Sequence, residues 1–214
     1  MLFPRLFLRA CAAGLFWAAS TAAIAQSLPA PVEFYFDEDR TATQPVVFLK
    51  GPDDAVVDRL AKLLERDPRA YQPMLQLAGI AMKGGREELG RSLYQRAIDA
   101  MGSNNRLERS ARWHYGWSLH RAGDDKGALE QWAQIAHNGP TRGGWVPTTL
   151  ALGLWKLGRK DEAVKWYAAA VRTQPQSWSS PTDIASLLPD WSEADRASLI
   201  EVQHAWAANP PAWP

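Results

Sequence analysis

Four histidines, one near-match to a phosphate-binding loop and eleven tryptophans are the side chains of this 214-residue chain with most chemistry to offer. His114, His120, His137 and His204 stand at spacings that do not make a metal site. His114 and His120 are six residues apart, which puts them on different faces of a helix. The chain has no G-x-S-x-G elbow for acyl transfer and no H-E-x-x-H pair for zinc hydrolysis. An active site would have to be assembled from scattered residues such as His120 and Glu130, so no catalytic residue, metal or cofactor is assigned. Residues 85–92 match the spacing G-x4-G-K-[ST] through Gly85, Gly90, Arg91 and Ser92, with arginine in the lysine position. A working phosphate loop follows a β-strand and wraps phosphates with backbone amides. Here residues 75–83 read as helix and Gly85 as a turn between helices, so nucleotide binding is not expected.

The elements that would position these residues come from a repeat. Glycine turns fall at Gly85, Gly123 and Gly158, spaced 38 and then 35 residues apart. Before each turn stands a close-packing pair, Leu77 and Ala78, Tyr115 and Gly116, Leu150 and Ala151, followed by Ala81, Leu119 and Leu154. After each turn come a small residue, an aromatic four on and an apolar residue three further. These are Gly90, Tyr94 and Ala97, then Ala128, Trp132 and Ile135, then Ala163, Tyr167 and Ala170. Pro140 and Pro175 close the second and third units. A small residue lets two helix backbones approach, and the aromatic fills the space beside it. Gly116 is such a crossing point, where leucine should overpack and alanine should be tolerated. One helix pair cannot bury both of its faces, so such units must stack.

This pattern resembles the tetratricopeptide repeat (TPR), with its period of about 34 residues and its W-x2-L-G-x2-Y, A-x3-F and P signatures. The resemblance implies an all-α fold: a right-handed α-solenoid of about three antiparallel helix pairs with helical caps, working by binding a partner in its concave groove. The pairs are expected at 71–102, 109–140 and 144–175. None has the early tryptophan of the pattern in register, since Met74, Arg112 and Pro147 stand there.

The ends read differently. Arg5 and Arg9, an apolar run from position 11 to 24 and the Ala23-Ile24-Ala25 site make residues 1–25 a secretory signal peptide. The run falls short of the ~20 residues a membrane-spanning helix needs, so the processed protein is not expected to span a membrane. The one cysteine, Cys11, leaves with the leader, which excludes disulfides, thiol catalysis and cysteine-bound metal. Export to the periplasm of a Gram-negative bacterium is the expected location. Residues 26–52, with Pro29, Pro31 and Pro45, should be irregular, or two-stranded through the β-prone runs 32–36 and 46–49. A capping helix is expected over 53–68, opened by Asp53 and Asp54, and capping helices over 181–208 with Ser192 as an N-cap. A short tail, 209–214, carries Trp213.

The chain holds 24 basic residues against 23 acidic, and loss of Arg5 and Arg9 with the leader leaves it near neutral. That balance gives no electrostatic basis for nucleic acid or an anionic membrane. Tryptophan is the remaining signal, Trp17 alone being in the leader. In the TPR family the first helix of each pair lines the groove. Carried onto this chain, that implies a partner-binding face of Trp113, Trp117, His120 and Arg121 in the second unit and Trp145, Thr148, Leu152, Trp155 and Lys156 in the third. The first unit contributes a plainer set: Gln72, Leu75, Gly79, Met82 and Lys83. Any single indole can equally be packing, and Trp132, Trp166 and Trp206 are expected in the core. An indole-lined groove would make the protein a non-enzymatic adaptor that holds a peptide segment of a cell-envelope protein. Stacking on a glycan such as peptidoglycan is the alternative.

Overall fold

The computed structural model describes residues 28–37, 40–102, 106–138, 142–180 and 182–212. The leader 1–25, Pro140 and Trp213 lie outside the described residues. Described helices are α1 (Arg40–Thr43), α2 (Asp53–Arg66), α3 (Tyr71–Lys83), α4 (Glu87–Met101), α5 (Arg106–Arg121) and α6 (Asp125–Asn138). They continue with α7 (Val146–Lys156), α8 (Lys160–Thr173), α9 (Pro175–Trp178), α10 (Ile184–Leu187) and α11 (Glu193–Ala208). The fold is all-α. Among the described residues there is no strand, only an isolated parallel bridge between Asp37 and Gly143. No helix among them is long and apolar enough to cross a membrane.

The three glycine turns are the same structure. Gly85, Gly123 and Gly158 all have positive φ, at 73°, 84° and 73°. That left-handed conformation is open to glycine at little cost. Each turn closes the helix before it with two bonds. Gly85 N–H donates to the Met82 carbonyl and Arg86 N–H to Ala81, at 3.1 and 2.8 Å. Gly123 and Asp124 repeat this on His120 and Leu119, and Gly158 and Arg159 on Trp155 and Leu154. The sequence period is therefore a backbone period.

The turns fold α3 onto α4, α5 onto α6 and α7 onto α8, and the pairs meet through α4 with α5 and α6 with α7. Small residues sit at the crossings: Ala78, Ala97, Ala151 and Ala163 are fully buried. The aromatics four residues on, Tyr94, Trp132 and Tyr167, are all buried between helices. Gly116 is tighter than expected, since a Cβ there would stand 2.3 Å from Nε1 of the Trp132 ring. Alanine is thus not tolerated as the sequence suggests; the indole has moved into the space that the missing Cβ leaves.

Both ends are capped. α2 opens after Pro52 with Asp53 and Asp54 in its first turn and lays Val56 and Leu60 on α3. At the far end α11 buries Leu199 and Val202 against α7 and α8. Its N-cap is Ser192, whose hydroxyl accepts from the Asp195 amide at 3.1 Å. The two β-prone runs near the N-terminus do not pair with each other. Tyr35 is buried on α8, its N–H donating to Thr173 Oγ1 and its ring 6.0 Å from that of Trp166. Residues 44–49 lie on α5 and α3.

Candidate functional site

The groove expected on the indoles is filled. Trp113 is 8% and Trp117 6% exposed. Their rings lie edge-on at 5.8 Å. Trp145 closes on Trp113 at 4.3 Å, while Trp132 and Trp191 each approach Trp117 to 5.1 Å. The physical reason is the next layer. Trp145 at the start of α7 packs on Trp113, and Trp191 before α11 packs on Trp117. Thr148 and Leu152 are buried inside α7, with the Thr148 hydroxyl donating to the Trp145 carbonyl at 3.3 Å. Trp155 is half-buried elsewhere, its Nε1 donating to Glu201 at 2.8 Å and the Lys160 ammonium 4.5 Å above its ring.

His120, Arg121 and Lys156 surround the indole cluster and complete a polar junction. His120 Nδ1 is 2.5 Å from Asp125 and its Nε2 2.8 Å from Asp195. Lys156 Nζ lies 3.6 Å from the same Asp195 carboxylate. Burial pushes Asp195 up, but hydrogen bonds from Ser192 and His120 and the nearby charges of His120 and Lys156 outweigh it and hold the carboxyl below its ordinary value. Both imidazole nitrogens are taken, so neither is presented to a substrate as a general base. Among the described residues no group of His, Cys, Asp and Glu could hold a metal ion.

The phosphate-loop match is a helix–turn–helix. Gly85 is the turn, and Gly90 is buried within α4, where a Cβ would meet the Met82 side chain at 2.5 Å. Arg91 pairs with Asp124 at 2.7 Å across to the next turn. Asp124 in turn caps the Gly127 amide at 2.9 Å. Glycine and arginine at these positions join repeats together.

The open concavity lies one unit earlier. A cavity of about 820 Å³ is walled by Leu75, Gly79, Met82 and Lys83 of α3 and by His114, Ser118 and Arg121 of α5. Four of the five residues expected on the first unit's groove face line it; Gln72 does not. Asp53, Glu87 and Tyr94 also line it, and a further wall is a non-helical stretch of the chain itself, Pro45, Val46 and Val47. That stretch is held by its main chain. Gln76 Oε1 accepts from the amides of Phe48 and Leu49 at 2.9 and 2.8 Å, and its Nε2 donates to the Leu49 carbonyl at 2.8 Å. His114 Nε2 lies 2.7 Å from the Gln44 carbonyl, and the Ser110 hydroxyl donates to the same oxygen at 3.3 Å. Burial, aided by the charge of Arg121, pushes His114 below its ordinary value against the pull of that hydrogen bond. The neutral ring then donates from Nε2. Val47 and Phe48 remain exposed.

Gln76 and Ser110 gave no signal in the sequence. Each is a polar residue on an otherwise ordinary helix, and its role depends on a segment some 30 to 70 residues away meeting it in space. No protein-family model matches the chain, and no curated protein matches it.

Proposed function

We propose that the chain is an exported, non-enzymatic adaptor of tetratricopeptide type, a right-handed solenoid of three helix pairs that binds an extended peptide of a cell-envelope protein. The binding site in this reading is the cavity between α3 and α5, in place of the indole face. One observation carries it: the same two helices hold a non-helical, uncharged stretch of this chain by its main chain, through Gln76 and His114. Side-chain amides and imidazoles that satisfy backbone N–H and C=O groups suit any extended peptide, and apolar walls such as Leu75 and Met82 select its side chains. The partner segment is therefore extended, largely apolar and without net charge. Support for the solenoid is the three-fold recurrence of the glycine cap, the small-residue crossing and the buried aromatic. Glycan stacking needs open indole faces, and Trp113 and Trp117 are covered.

A labelled peptide copying residues 44–49, with blocked ends, tests the reading against the processed protein. Saturable binding is expected, weakened at least tenfold by Ser118→Leu, which fills the cavity wall; the variant also loses the 3.4 Å contact to the Tyr94 hydroxyl, so its binding is measured well below its melting transition. Absence of saturable binding, or equal binding by the variant, refutes the site. Displacement of the bound peptide by soluble cell-wall fragments would favour the glycan alternative.

A further inference from the structure

We propose that His120 is a proton-dependent latch that holds the start of α11 over the Trp117 indole and releases it when the imidazole becomes neutral. The geometry requires two donors. Nδ1 faces Asp125 at 2.5 Å and Nε2 faces Asp195 at 2.8 Å, with the His120 side chain only 8% exposed. An imidazolium carries a proton on each nitrogen; a neutral ring has one proton and one lone pair. Loss of the proton therefore turns one of the two contacts into a lone pair against a carboxylate oxygen.

Charged side chains from α5, α6, α7 and the start of α11 surround the ring. On α5 itself Arg121 lies with its guanidinium carbon 5.6 Å above the Trp117 ring. Asp125 opens α6, Lys156 ends α7, and Asp190 and Asp195 flank the start of α11 around the same cavity. Three carboxylates thus face the cations of Arg121 and Lys156 around the ring.

The two contacts are not equivalent. Asp125 is five residues from His120 in sequence, while Asp195 is 75 residues away and belongs to the cap. Keeping the local contact needs no movement of one element against another, so the contact to Asp195 is the one that opens. Lys156 and Ser192 still hold Asp195, and Leu199 and Val202 still seat the rest of α11. Release is thus confined to the first turns of the helix and to Trp191, whose ring covers Trp117. Opening widens a cavity of about 470 Å³ that Trp117 and His120 already line. An adaptor exposed to the pH outside the cell would uncover an aromatic surface as that pH rises.

The test uses the processed protein across the imidazole titration range. Amide exchange in the first turns of α11, corrected for intrinsic rates, and acrylamide quenching of tryptophan should both rise with pH. The exchange increase should be roughly tenfold, the equilibrium equivalent of one charge-assisted hydrogen bond. In His120→Gln, which donates one bond and does not titrate, both signals should be flat. An equal rise in that variant, or no rise in the native protein, overturns the latch. A direct readout does not depend on the variant folding: imidazole nitrogen shifts of His120 should show both nitrogens protonated while α11 is protected. A single neutral tautomer under those conditions also overturns it.

Discussion

The Trp132 indole rests against the bare backbone of Gly116, where a Cβ would come within 2.3 Å of Nε1. Trp132 is 1% exposed and its Nε1 donates to the Trp113 carbonyl at 3.4 Å, so the ring has no room to withdraw. Gly116→Ala should therefore destabilise by about 1–3 kcal/mol, although alanine is the better helix former. Gly116→Leu should cost more. Thermal melts of the two variants check this; an alanine variant as stable as the native protein would show that the ring shifts freely.

Trp117→Ala should behave as a core truncation, destabilising by about 3–5 kcal/mol, comparable with Trp132→Ala. Trp117 is 6% exposed and touches the rings of Trp113, Trp132 and Trp191. The dissociation between stability and binding should appear at the next residue, on another face of the helix. Ser118→Leu, which removes only the contact to the Tyr94 hydroxyl, is expected to lose peptide while melting closer to the native protein than Trp117→Ala does. Chemical denaturation of both variants, beside the peptide titration, decides whether the indoles or the α3–α5 cavity is the working surface.

These two cases also mark what was legible in the sequence. Period, turn residues and small–aromatic pairing located α3 to α8 within a few residues because all are local: a glycine at positive φ ends one helix, and the spacing of apolar residues defines the next. That Trp113 and Trp117, four residues apart, share a side of α5 follows from helix geometry. What covers that side was not legible, because Trp145 and Trp191 arrive from elements 28 and 74 residues later in the chain. Nor was the seat of residues 44–49 visible: the bonds from Gln76 recognise backbone, and backbone has no sequence signature.

The repeat predicts equal penalties at three distant positions. An added Cβ at Gly85, Gly123 or Gly158 meets nothing within 4 Å, so each substitution by alanine costs only the left-handed backbone strain. About 1–2 kcal/mol is expected at each site. Since the sites lie in separate units, the three losses should add in the triple variant. Denaturant midpoints of the single and triple variants test both points. A penalty confined to one glycine would show that the three turns are not equivalent.

Acid should weaken the junction between the first and second helix pairs. Burial raises Asp124, but its bonds from Arg91 and the Gly127 amide prevail, and its folded-state value lies below the ordinary one. A depressed carboxylate contributes stability above its unfolded value, about 3.9, and that contribution is lost as pH falls through the folded value. Asp195 acts in the same direction. With Arg91 and Asp124 each about a third exposed, at 35% and 34%, screening limits their pair to roughly 0.2–1 kcal/mol. A double-mutant cycle of Arg91→Met and Asp124→Asn should give a coupling of that size at pH 7 that vanishes well below pH 4.

His114 sets an opposite pH dependence from the His120 latch at the other face of α5. Its folded-state value is depressed, chiefly by burial beneath residues 44–46, so the unfolded or detached state takes up a proton first. Stability contributed by that contact is complete above the unfolded value, about 6.5, and falls as pH drops below it. Lifting residues 44–49 from α5 returns His114 to water and relieves the penalty without unfolding the helices. The amides of Phe48 and Leu49, which donate to Gln76, should therefore exchange faster below pH 6.5 while α5 and α6 stay protected. His114→Gln keeps a donor for the Gln44 carbonyl and removes the charge, so its exchange should be insensitive to pH after correction for intrinsic rates. Peptide binding in the cavity should follow the same titration, tightening as the chain's own segment leaves. Acid-induced exchange that is unchanged in His114→Gln would assign the pH response to another group.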